Sequence, residues 1–151
     1  MIHRNASLIV LVLLAAGCKS TSSAPCKDTQ AAVESVAKQN PDCVRLTVHA
    51  VPPSGGSHVA VASTMASKLG KPSDPEDLKA MQTGEAVLLD EPGALDVTLP
   101  IMQKEGKWAA TCGVTLKAEA GADRQQLVAR ARQIAAAVEA AVAKEMAKEK
   151  K

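Results

Sequence analysis

Four cysteines and three histidines are the residues of this 151-residue chain best suited to covalent or metal chemistry, and their spacing sets the first limits. Cys18, Cys26, Cys43 and Cys112 contain no C-x-x-C pair, and past residue 18 only His49 and His58 remain as imidazoles. That spacing offers no zinc-type ligand set, so no metal site is expected. No G-x-S-x-G, H-E-x-x-H, P-loop or dinucleotide fingerprint occurs. Ser54 and Ser57, the serines near the histidines, lie in a Pro- and Gly-rich turn with no acid to orient a base. Asp96 and His49 could exchange a proton only in an apolar pocket that shifted one of them, and a chain lacking Phe and Tyr has little to build its walls. Neither enzymatic activity nor a cofactor is expected. The net charge of +2 comes from scattered cations, and Lys144, Lys148, Lys150 and Lys151 alternate with glutamates, which excludes a basic nucleic-acid face.

His3 and Arg4 precede an unbroken apolar run from Leu8 to Leu14, followed by Ala15-Ala16-Gly17-Cys18. The run falls short of the ~20 apolar residues that span a bilayer, and small residues before a cysteine suit a cleavage site. These residues resemble the lipobox of bacterial lipoproteins. The resemblance implies removal of residues 1–17, acylation of Cys18 as the lipidation site, and attachment to a bilayer. Lys19 after the cysteine implies the outer rather than the inner membrane. Residues 18–25 are small and polar, the composition of a flexible tether.

In an oxidising compartment the remaining Cys26, Cys43 and Cys112 suit one disulfide and one leftover thiol. Thr29 to Gln39 reads as a helix with Ala32, Val33, Val36 and Ala37 on one stripe, which sets Cys26 and Cys43 about 20 Å apart at its ends. A bridge needs Cα atoms within about 7 Å, so Cys112 is the shared partner, with Cys26 preferred over Cys43.

The elements that must position any polar site follow from periodicity. Val44, Leu46, Val48 and Ala50 alternate with Arg45, Thr47, His49 and Val51 in a strand from Val44 to Val51, and a turn-rich link leads to a second strand, Val59 to Ser63. Asp74-Pro75-Glu76-Asp77 opens a short helix over Pro75 to Gln82, and Gly84 stops it. Three further strands follow, Glu85 to Asp90, Leu95 to Met102 and Lys107 to Lys117, the last pointing Trp108, Ala110, Cys112, Val114 and Leu116 one way. A helix from about Asp123 to Lys148 ends the chain. At about 39 Å it exceeds what one small sheet needs, so it either docks with a frayed end or offers its last turns to a partner or a second copy. The fold class is α+β: a five-stranded antiparallel sheet, an N-terminal helix, a short helix between strands two and three, and a long C-terminal helix.

That element order resembles the extracellular Cache sensor domains, which share the PAS-like fold. Val59-Ala60-Val61-Ala62-Ser63-Thr64 and Leu69-Gly70-Lys71-Pro72-Ser73-Asp74-Pro75-Glu76-Asp77-Leu78 are similar to the family's hairpin strand and following loop. Thr83-Gly84-Glu85, Leu95-Asp96-Val97-Thr98-Leu99-Pro100 and Gly113-Val114-Thr115-Leu116 are similar to its meander. The resemblance implies a domain at 26–122, extended by the helix at 123–151, with a pocket for a small molecule on the sheet face opposite the first helix. Arg45, Thr47, His49, Asp96, Thr98 and Thr111 would line it from the strands, and Thr64, Ser67 and Lys68 from the loop. Arg45 could hold a carboxylate in a forked pair, and Asp96 an ammonium group. No second apolar segment follows, which implies a membrane-anchored binding module without its own output. An envelope lipoprotein that contacts a protein through the final helix is the alternative.

Overall fold

The computed structural model describes residues 26–150, so the expected export signal, the expected lipidation site Cys18 and the expected tether lie outside the described residues. The elements are α1 (Lys27–Gln39), β1 (Cys43–Ala50), β2 (Val59–Ser63), α2 (Pro75–Thr83), β3 (Val87–Glu91), β4 (Ala94–Lys104), β5 (Lys107–Lys117) and α3 (Arg124–Met146). The strands form one sheet in the order β2-β1-β5-β4-β3, every neighbouring pair antiparallel. This is the expected α+β, PAS-like arrangement. No described helix is long and apolar enough to cross a membrane.

Alternation of side chains along the strands gives the sheet two different faces. On one, Leu46, Val48, Leu95, Val97, Leu99, Ile101, Cys112, Val114 and Leu116 form the core with Val33 and Val36 of α1 and Ala131, Ile134, Ala135, Val138 and Val142 of α3. Val44 was expected on that stripe, but a bulge between Cys43 and Arg45 breaks the alternation and leaves it half exposed. Trp108 was also expected there. It instead packs beside Gly84 at the end of α2, where a Cβ on Gly84 would lie 2.8 Å from the indole Nε1. Gly84 also has φ +74°, so this position needs glycine twice over.

The long α3 does not protrude. The Glu145 carboxylate accepts the backbone N–H of Thr29 at 2.8 Å, in the first turn of α1, and Lys148 reaches Asp28 at 2.7 Å. Cys26, the residue before α1, gives no side-chain cap, so a carboxylate from the far end of the chain does that work. Arg130 forks onto Asp42 at 2.9 and 3.0 Å and also reaches Asn40, tying the middle of α3 to the loop after α1.

Candidate functional site

The second face of the sheet carries Thr47, His49, Asp96, Thr98, Thr111 and Thr115, all buried. It is not a solvated surface, because α2 lies across β4 and β5. Burial obliges these groups to find partners. Thr111 donates to Asp77 Oδ1 at 2.8 Å, Thr115 donates to Asp96 Oδ1 at 2.6 Å, and Thr47 bonds Ser63 at 2.8 Å. The Asp77 Oδ2 accepts the Asp74 backbone N–H at 2.9 Å and lies 3.3 Å from His49 Nδ1. Asp77 thus closes the first turn of α2 and holds that helix to the sheet.

Between α2 and the strands remains a cavity of about 140 Å³. Arg45, Thr47, His49, Lys68, Asp96 and Thr98, six of the nine expected ligand-binding residues, line it. The other three do not. Thr111 is turned into its bond with Asp77, beneath the helix. Thr64 instead accepts the Leu46 backbone N–H, and Ser67 is exposed. The loop that carries them runs along the free edge of β2, where Gly70 donates to the Ala60 carbonyl and Ala60 donates to Lys71, so it covers an edge instead of roofing the cavity. Sequence reasoning missed Asp74, Glu76, Asp77, Glu91 and Gly113 in the lining. The acids of α2 had been read as helix-start signals, which they also are; nothing local marked which way they face.

The lining sets five carboxylates against two cations. Both cations already face acids of the chain itself: Arg45 pairs with Glu91 and lies 3.6 Å from Asp96, and Lys68 is 3.3 Å from Asp74. Burial alone would lower the Arg45 pKa, but Glu91 and Asp96 outweigh it and hold it above the ordinary value. Burial pushes His49 below its usual value, against the pull of Asp77, so the ring is neutral near pH 7. Gly113 faces the cavity with room to spare: a Cβ there would meet nothing closer than 3.9 Å. No group of three or more His, Cys, Asp or Glu among the described residues is arranged to hold a metal ion.

A larger, more open groove of about 880 Å³ lies between the β3–β4 turn and the loop after β5; alanines and glycines supply nearly half its lining, and of its charged side chains Arg124 is paired with Asp90 at 2.7 Å. The expected Cys26–Cys112 bridge is not formed; Cys26, Cys43 and Cys112 are free thiols. The Cys26 backbone N–H donates to Val61 on β2, two strands from Cys112 on β5. Two strand spacings are about 10 Å, beyond disulfide reach. Burial raises the Cys26 thiol to about 11 and raises Cys43 and Cys112 as well, which makes all three poor nucleophiles.

No family model matches the chain, and no curated protein matches it. Among solved structures the fold is similar to the GAF domain from Acinetobacter phosphoenolpyruvate-protein phosphotransferase, at 17% identity and TM-score 0.50 over 82% of this chain and 88% of that one. It is also similar to the type II free methionine-R-sulfoxide reductase from Thermoplasma acidophilum (14%, 0.49, covering 75% and 90%) and to the E. coli DcuS sensor domain (22%, 0.45, covering 70% and 70%). Strand order and the first of these similarities together define a PAS/GAF-like fold.

Proposed function

We propose that this chain is an extracytoplasmic binding module of the Cache kind, tethered to the outer membrane through acylated Cys18, that captures a small amine in the cavity beneath α2. The observation that carries the reading is the surplus of carboxylates around that cavity. An ammonium group offers three donors to such a lining, whereas a carboxylate would have to displace Glu91 or Asp96 from Arg45. The forked capture of a ligand carboxylate by Arg45 is therefore the weaker reading. The volume equals about five waters at ~30 Å³ each, which limits the ligand to a small metabolite. The address rests on the lipobox alone.

A thermal-shift panel of small amines and small carboxylates against the full chain tests this. At least one amine at millimolar concentration should raise the melting temperature, and Asp96→Asn should cancel the rise. Stabilisation by carboxylates alone, or by no compound, would overturn the reading.

A further inference from the structure

His49 lines the cavity beneath α2, and its ring also belongs to a row of polar groups that leads away from it. Nδ1 of His49 lies 3.3 Å from Asp77 Oδ2 and 3.1 Å from Ser73 Oγ. Ser73 Oγ is in turn 2.6 Å from Nδ1 of His58. Backbone pairing fixes that serine: its N–H donates to the His58 carbonyl at 3.1 Å, and Pro72 beside it bridges to Val59. The other nitrogen of His58, Nε2, is wholly buried. Burial lowers the pKa of this ring, and the Ala109 backbone pulls it the other way, as a carbonyl facing an N–H does.

A serine hydroxyl has one proton to give. With both rings neutral, one of the two imidazole nitrogens on Ser73 Oγ must therefore donate and the other accept. Both ends of the row choose the same direction. At the Asp77 end, a bare His49 Nδ1 would set a lone pair against a carboxylate, so Nδ1 carries the proton. The hydroxyl then donates to His58 Nδ1, and the proton of His58 sits on Nε2, toward Ala109. His49 is left with a bare Nε2. That atom has no hydrogen-bond partner among the described residues, yet it is not one of the wholly buried unpartnered atoms, so it keeps access to the cavity that His49 lines. We propose, on the amine reading of that cavity, that Ser73 and His58 act with Asp77 as positioning residues that hold His49 in its Nδ1–H form, making Nε2 a neutral acceptor for an N–H of the captured amine. The carboxylates attract any small cation, whereas a ring lone pair rewards only one that bears an N–H. His49 thereby selects primary amines over quaternary ammonium ions of equal charge.

Imidazole ¹⁵N shifts of the histidine-labelled full chain at neutral pH test this, with ethylammonium as the probe and tetramethylammonium as the control of equal charge that lacks an N–H. The free chain should show His49 protonated at Nδ1 and His58 at Nε2. Ethylammonium should move the His49 Nε2 signal saturably, and tetramethylammonium should leave it in place. Ser73→Ala should admit the second tautomer of His49 and weaken the ethylammonium response; an unchanged ring in that variant would leave Asp77 alone in control and overturn the role of Ser73 and His58. His49 protonated at Nε2 in the free chain would overturn the inference and leave amine capture standing, as would ethylammonium shifts at the Thr47 and Thr98 amides with Nε2 unmoved. Absence of any saturable shift would instead fail amine capture itself, and the acceptor role with it.

Discussion

On the side facing α1 and α3, β4 presents Leu95, Val97, Leu99 and Ile101; on the side facing α2, the same strand presents Asp96 and Thr98. Both faces are buried, yet they hold together by different rules. The apolar face needs shape and area, and any tight arrangement of Val, Leu and Ala serves it. The polar face needs each buried oxygen matched to a donor, which fixes α2 at one position and leaves a cavity where the chain supplies no further partner. Stability should therefore be concentrated on the first face and ligand specificity on the second.

Substitutions can break that division at graded points. Leu99→Ala empties a fully buried core position and should cost about 3 kcal/mol in denaturant unfolding, with ligand response preserved wherever the variant remains folded. Asp77→Asn removes the charge that meets Thr111, the Asp74 N–H and His49, and should cost roughly 2 kcal/mol, loosening α2 enough to raise amide exchange there. Gly84→Ala should cost about 1 kcal/mol or more, since it strains a left-handed position and crowds Trp108, and near-ultraviolet dichroism should report the displaced indole. Gly113→Val should change the melting temperature little, yet abolish any amine response by filling the cavity.

The smallest effect concerns pH. His49 is neutral in the fold and faces Asp77, Asp74, Lys68 and Glu76; burial sets its pKa below the ordinary 6.5. The unfolded chain then binds the proton more readily than the folded one. Stability should be full above pH 6.5 and fall as the pH drops from there toward the depressed folded value. His49→Gln should lessen that slope in melts taken across the range, with the remainder coming from His58, which burial also lowers. A steeper slope in the variant would mean that the acids of α2, rather than burial, govern this ring.

Much of the fold was legible because alternation and capping are local signals. β5 falls on Lys107–Lys117, as read, and β2 on Val59–Ser63. β3 begins two residues later than Glu85, because the Gly84 cap is followed by a bond from the Glu85 N–H to Thr83 that uses up the segment. The strand contribution to the cavity was visible for the same local reason: Arg45, Thr47, His49, Asp96 and Thr98 alternate with apolar neighbours. What depends on tertiary placement was not. Thr64 and Ser67 miss the cavity because their loop pairs along β2, and Cys26 misses Cys112 because α1 starts over the sheet edge.

The claim that the acidic cavity is the binding site is tested most directly by following backbone amide signals of the full chain during titration with a stabilising amine. Saturable shifts should appear at Thr47, Asp77, Thr98 and Gly113 and be absent from the Gly113→Val variant. Shifts confined to the groove around Gly93 and Leu127, or none that saturate, would contradict it.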